Sequence, residues 1–266
     1  MSEQDNERAA TLAAIAKKTV RYSIPGMDAV VVRGAVGKSS GAGGLLMDIY
    51  YPSEPTPGDR FPIVVVPFGY PDPQSQIRHY GPATSWAKLV AASGMAAVIY
   101  GAAEPSEDVH TVLQHLRANA ESLGLDAQRI GLLATSGSVS VALSALMRDA
   151  SLKCAALLYG YTMDLEGSTA VADVAKQFGF ANACAGKSVD DLPAGVPLLF
   201  IRAGLEQFPG LNEALDKVVA RAIARNLPVT VVNHPTGVHG FDLEEDTDAS
   251  RAAIQLVLAT LARDLR

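Results

Sequence analysis

The stretch Arg129-Ile130-Gly131-Leu132-Leu133-Ala134-Thr135-Ser136-Gly137-Ser138 decides how the rest of the chain is read. Ile130 to Leu133 is a short apolar run bounded by turn-forming residues, the pattern of a buried parallel strand. Small residues follow at Ala134, Gly137 and Ser138, and an alanine- and leucine-rich helical pattern starts at once, from Val139 to Met147. A sharp strand-to-helix turn needs small side chains around its apex, because the two backbones come within contact distance. Its apex residue, Ser136, is then held in a strained conformation with the hydroxyl above the end of the sheet. That is the geometry of a nucleophile elbow, written G-x-S-x-G. Here it reads A-x-S-x-S, which keeps the small residues and loses both outer glycines. The alternative reading of the same ten residues is a tight strand–helix connection whose serine caps the helix.

The flanking sequence repeats this strand-then-helix rhythm. Upstream, Phe61 to Pro67 is a continuous β-branched run fit for a central strand. Trp86 to Ser93 reads as a helix, Met95 to Tyr100 as a buried strand, and Glu107 to Leu123 as an amphipathic helix with Val109, Val112, Leu113, Leu116 and Ala120 on one face. Downstream, strands are expected at Cys154–Tyr159, Val196–Ile201 and Val229–Val232. Helices are expected at Leu211–Arg225, with Leu211, Leu215, Val218, Val219 and Ile223 inward, and at Ala249–Leu265. Nearer the start, Val20–Arg33 and Leu45–Tyr51 look like strands, and residues 8–18 read as a leading helix or a tail. Alternation of this kind predicts an α/β fold, a mostly parallel sheet with helices on both faces. Residues 1–266 read as a single domain, with residues 1–19 as an N-terminal extension or helix. Residues 161–195 lack a clear pattern and are expected to be a small lid over the sheet's edge.

A chain of 266 residues, 48% hydrophobic and 19% charged, is long enough to bury a large core. A net charge of −6 with no basic cluster argues against a nucleic-acid partner. Cys154 and Cys184 form neither a metal spacing nor a disulfide framework, which favours a reducing compartment. The acidic start Met1-Ser2-Glu3-Gln4-Asp5 lacks the basic and apolar regions of a signal peptide, and no apolar run is long enough to span a bilayer. The expectation is a cytoplasmic protein with no membrane partner, and with a homodimer left open. Gly37-Lys38-Ser39 invites a phosphate-loop reading, which fails because the loop Gly34–Gly44 opens into a strand instead of a helix. A hairpin loop is expected there. No G-x-G-x-x-G follows the first strand, and His234 and His239 lack a third metal ligand, so neither a cofactor nor a metal is expected.

Open parallel sheets gather chemistry at the carboxyl ends of their strands. This sequence puts Phe68-Gly69-Tyr70-Pro71 after one strand and Ser136-Gly137 after the elbow strand. Ala203-Gly204-Leu205-Glu206 follows a later one, and His234 to Phe241 the last. A serine, a carboxylate and a histidine therefore fall at one edge, in the chain order Ser…Glu…His.

From about Leu46 to the C-terminus the sequence resembles the α/β-hydrolases, and among them the dienelactone-hydrolase-like serine esterases. The carriers are Asp126-Ala127-Gln128-Arg129-Ile130-Gly131-Leu132, Ala203-Gly204-Leu205-Glu206 and His239-Gly240-Phe241-Asp242. The resemblance implies a small-molecule ester substrate and a serine-dependent hydrolysis. Ser136 would be the nucleophile and His239 its base, with His234 in the same loop as the competitor. Glu206 would orient the histidine in place of the commoner aspartate, and Asp164 is the alternative acid. The amides of Gly137 and of Tyr70, with Gly69 second, would hold the oxyanion. Phe68 stands where the His-Gly-x element usually has histidine. The dienelactone hydrolases proper use a cysteine nucleophile, and Ser136 replaces it, which moves the expected substrate toward ordinary carboxylic esters. Peptidase-like, thioesterase and acyltransferase chemistry share the machinery. A ligand-sensing relative of the same fold is the reading from another class, and it has no need of all three triad residues.

Overall fold

Eight strands form one sheet in the computed structural model, which describes residues 13–37 and 44–266. They are β1 (Val31–Gly37), β2 (Leu45–Tyr51), β3 (Phe61–Val66), β4 (Ala96–Tyr100), β5 (Leu125–Thr135), β6 (Ala155–Leu158), β7 (Leu198–Leu205) and β8 (Val229–Val238). Their spatial order is β1-β2-β4-β3-β5-β6-β7-β8. The first two strands run antiparallel to their neighbours, and β3 to β8 run parallel. The helices are α1 (Gly81–Ala92), α2 (Pro105–Asn119), α3 (Val139–Arg148), α4 (Ala170–Phe178), α5 (Leu211–Ala224), the single turn α6 (Phe241–Glu244) and α7 (Asp248–Asp264).

Successive residues of a strand face opposite sides of a sheet, so a continuous apolar run serves two cores at once. In β3, Ile63 and Val65 join a core with α2, α3 and α5, while Val64 joins a second core with α1 and α7. The split recurs in β4 (Val98 against Ala97 and Ile99), in β5 (Leu132 against Leu133) and in β7 (Leu198 and Phe200 against Leu199 and Ile201). All of these side chains are buried. That double burial explains why the strands read as unbroken apolar runs.

Local signals set the element ends. Pro82 sits in the first turn of α1, where its missing N–H costs nothing. Thr247 caps α7 by accepting the Ser250 amide at 3.1 Å. The Asp126 carboxylate accepts the Gln128 amide at 2.8 Å and Arg129 Nε at 2.6 Å, which folds the start of β5 into a bulge. Across that bulge the pairing with β3 jumps from Leu125 to Ile130. The strand is therefore longer than its apolar run suggests.

Three expectations change. Val20–Arg33 is not a strand before Val31, because the Val20 amide is taken by Ser85 Oγ of α1 at 3.0 Å and the chain then turns through Gly26 at φ 94°. Ile223 faces solvent at 59% exposure, beyond the inward arc of α5. The last strand runs on to Val238, so His234 lies within it. Of the leading segment 8–18, residues 13–16 are helical, residues 17–18 leave the helix, and residues 8–12 lie outside the described residues. The strands flanking the Gly-Lys-Ser loop pair antiparallel as a hairpin requires, and residues 38–43 of the loop itself lie outside the described residues.

Candidate active site

The turn after β5 builds the centre of the site. Ser136 has φ 51°, a left-handed conformation that costs a non-glycine residue about 1–3 kcal/mol and persists only where the surroundings enforce it. Here they do. The Ser136 carbonyl accepts the Tyr161 amide at 3.2 Å, and a short 3₁₀ turn, Ser136–Ser138, leads directly into α3. Gly137 has no room for a side chain, since a Cβ would come within 2.9 Å of the Phe180 ring. Ser138, which stands where the elbow pattern has its second glycine, uses its hydroxyl to accept the Gly69 amide at 3.0 Å. The serine therefore ties the loop after β3 to the elbow.

Three side chains converge above this turn. Ser136 Oγ lies 2.8 Å from His239 Nε2, and His239 Nδ1 lies 2.6 Å from Glu206 Oε2. They come from the ends of β5, β8 and β7. The Glu206 side chain is 1% exposed, and its Oε1 accepts the Phe208 amide at 2.9 Å, which fixes the carboxylate's orientation. The extra methylene relative to aspartate thus spans the gap without slack. The imidazole stands between aromatic rings, with Phe208 at 4.8 Å and Tyr159 at 5.0 Å between centroids.

The alternatives have other work. Asp164 accepts the Val171 and Ala172 amides, each at 2.9 Å, and so satisfies the first turn of α4; it does not reach His239. His234 is buried, 2.9 Å from Ser250 Oγ, which in turn donates to Glu245 at 2.8 Å. The other oxygen of Glu245 accepts the Val238 amide at 3.0 Å, directly before His239. His234 therefore braces the loop and lies away from Ser136. The amide of Gly69, the second choice for the loop's oxyanion donor, is donated to Ser138 Oγ at 3.0 Å.

A cavity of about 180 Å³ opens beside Ser136 and His239, walled by Phe68, Tyr80, Trp86, Leu133 and Leu243. Its acidic lining residues are Asp242 and Glu244, and among the described residues no lysine or arginine lines it. The segment 161–195 packs against the loop after β3: Phe180 stacks on Tyr161 at 4.8 Å, and the Ala181 amide donates to the Gly69 carbonyl at 2.7 Å. Cys154 and Cys184 are buried and lie outside this site, with burial pushing both thiols up to about 12. No three His, Cys, Asp or Glu side chains are grouped to hold a metal among the described residues. Nor is any described helix long and apolar enough to cross a membrane.

Sequence reasoning gave no role to Asp242, Tyr159, Trp86 or Phe180. Asp242 is buried beneath the site and accepts hydrogen bonds from Tyr159 Oη at 2.5 Å and Trp86 Nε1 at 2.7 Å. Its place straight after His239-Gly240-Phe241, and Tyr159's place at the end of β6, were the available signals.

No family model matches the chain, and no curated protein matches its sequence. Solved structures do match it in shape. A thermostable esterase from Pseudomonas putida is 17% identical with a TM-score of 0.73, covering 100% of this chain and 91% of its own. A bacterial heroin esterase is 14% identical with a TM-score of 0.74, covering 99% and 92%. This chain has the α/β-hydrolase fold. A thermophilic carboxylesterase cloned from a metagenomic library extends the likeness to 98% of its own length, at 17% identity and a TM-score of 0.70.

Proposed function

We propose that the chain is a serine hydrolase that cleaves carboxylic esters of small to medium size through an acyl-Ser136 intermediate. The observation that carries the reading is the unbroken line Ser136 Oγ–His239 Nε2–His239 Nδ1–Glu206 Oε2, at 2.8 and 2.6 Å. A serine hydroxyl is a weak nucleophile until a base removes its proton during attack. His239 takes that proton at Nε2 as Oγ bonds to the ester carbonyl, and Glu206 holds Nδ1–H so that Nε2 is the acceptor. The tetrahedral oxyanion is received by the Gly137 and Tyr70 amides, which bind it more strongly than the ground-state carbonyl. Collapse breaks the bond to the leaving alkoxide, which collects the proton from His239. Water then attacks the acyl group by the same route and frees Ser136.

The apolar cavity beside Ser136 suits an uncharged ester group, and its acidic lining disfavours a carboxylate there. Within the fold, the Asp126–Leu132, Ala203–Glu206 and His239–Asp242 motifs support our reading of the chain as a dienelactone-hydrolase-like serine esterase. The esterase names of the neighbouring structures support ester substrates. The two reduced, buried cysteines support a cytoplasmic setting. The test is hydrolysis of p-nitrophenyl acetate and butyrate by the wild type, S136A and H239A. Turnover by the wild type that both substitutions remove supports the reading. Equal rates for all three proteins would reject it.

A further inference from the structure

Asp242 is 1% exposed, yet it is a carboxylate in the wall of an apolar cavity. Burying such a group costs free energy unless its oxygens are matched by donors. Tyr159 Oη donates to Oδ1 at 2.5 Å, and Trp86 Nε1 donates to Oδ2 at 2.7 Å. Burial pushes the Asp242 carboxyl up, and these two hydrogen bonds oppose the shift without cancelling it. The carboxylate thus joins three elements: α6 (the turn directly after the loop that carries His239), the end of β6, and α1.

Tyr159 is the more telling partner. It has φ 35°, a left-handed backbone that a tyrosine adopts only under constraint. Its ring meets His239 at 5.0 Å with planes 66° apart, and Phe241 at 5.4 Å with planes 78° apart. Its chain neighbour Leu158 pairs in the sheet with Thr135, the residue before the nucleophile. A strained residue whose ring meets the base and whose hydroxyl is held by Asp242, directly beside the elbow strand, is not explained by core packing alone.

Resting on the esterase reading above, we infer that Asp242 and Tyr159 form a positioning pair that sets the His239 imidazole against Ser136, independently of Glu206. Glu206 holds one ring nitrogen; the Tyr159 ring, locked by its bond to Asp242, fixes where the imidazole sits. The groups that face His239 are then Ser136 from the turn after β5, Tyr159 and Tyr161 from the loop after β6, Glu206, Gln207 and Phe208 from the loop after β7, and Asp242 from α6. The Tyr159–Asp242 pair holds one face of the imidazole by a route separate from the Glu206 contact.

The test uses Tyr159→Phe, Asp242→Asn and Asp242→Ala in the full chain. Y159F keeps the ring and removes one oxygen, so folding is retained while the lock is lost. A shift of the base by a fraction of an ångström lowers kcat by about tenfold, with KM within about twofold. D242A loses at least as much. D242N restores most of it, because an asparagine can accept from Trp86 Nε1 and donate to Tyr159 Oη. A merely structural pair would lower the melting temperature and leave kcat of the folded protein unchanged, and that result overturns the inference. A proton NMR arm needs no turnover: the His239 Nδ1–H resonance, held against Glu206, shifts or broadens in Y159F and returns toward wild type in D242N. If the wild type hydrolyses no ester, the functional reading falls, and this resonance decides the positioning pair on its own. An unmoved resonance in Y159F sinks it.

Discussion

Glu206→Gln is nearly isosteric, and the structure dictates why it disables the site. Glu206 Oε1 accepts the Phe208 amide at 2.9 Å while Oε2 faces His239 Nδ1 at 2.6 Å. A glutamine keeps the Phe208 bond only by turning its oxygen there, which points its NH2 group at Nδ1. Two donors cannot face each other, so Nδ1 must give up its hydrogen and Nε2 must carry it. The imidazole then presents N–H to Ser136 Oγ and cannot accept the serine proton. Flipping the amide rescues Nδ1–H but sets the NH2 group against the Phe208 amide in a pocket where the side chain is 1% exposed. That leaves a buried donor unsatisfied, at about 1–3 kcal/mol. Either way the productive tautomer is lost or rare. A triad locked in the wrong tautomer loses about 10⁴ in kcat. Here the flipped amide leaves the productive tautomer as a minor population. We expect kcat to fall by at least about tenfold, with about 10⁴-fold as the limit if the flip is not populated. The assay is steady-state ester hydrolysis, with circular dichroism confirming a folded protein. KM is expected to stay within about threefold. A folded E206Q retaining more than about a tenth of wild-type kcat would refute the tautomer argument and the assignment of Glu206.

Further outcomes follow from the same geometry. Gly69→Ala places a Cβ 2.4 Å from the Gly137 carbonyl oxygen, a backbone atom that cannot step aside, so the loop after β3 moves by about 1 Å and kcat falls about 100-fold; unchanged kcat would show that this loop does not serve the oxyanion. Asp164→Asn leaves kcat within about twofold and lowers stability by about 1 kcal/mol through the weakened start of α4, read by ester turnover and a urea melt; a 1,000-fold loss of kcat would restore Asp164 as the acid. Burial pushes the Asp149 carboxyl up, but bonds from Arg117 at 2.6 Å and from Ser151 at 2.7 Å outweigh it and hold it below the ordinary carboxylate range. A depressed folded value means that the unfolded chain takes the proton first. The stabilisation is therefore full above about pH 4 and is lost as pH falls through the depressed value. Melts between about pH 5 and 2 should show that loss in the wild type and less of it in Arg117→Met; parallel curves would contradict the pairing.

Much of this was legible in the residues because it rests on local rules. The apolar runs at Phe61–Val66 and Ile130–Leu133 had to be buried on both faces, and the two cores show why. Ser136, Glu206 and His239 stand directly after β5, β7 and β8, and a parallel sheet delivers such positions to one edge. What escaped depends on contacts between distant segments. Asp164 and Glu206 are both carboxylates after strands, and only the register of the chain shows that one caps α4 while the other meets His239. Ser138 looked like a defect in the elbow pattern, yet its hydroxyl holds Gly69, 69 residues away in sequence. Val20–Arg33 has strand-like composition, but an amide already taken by Ser85 cannot join a ladder. Asp242 lies in a motif that was quoted for its histidine, and its partners Trp86 and Tyr159 are 156 and 83 residues off.

The central claim is that His239 activates Ser136, and covalent labelling reads that directly. Intact-mass spectrometry of the folded protein with a fluorophosphonate should show one adduct on the wild type and none on S136A, with H239A labelling far more slowly. A folded wild type that gains no mass would contradict the account, because a serine 2.8 Å from an oriented imidazole has to react.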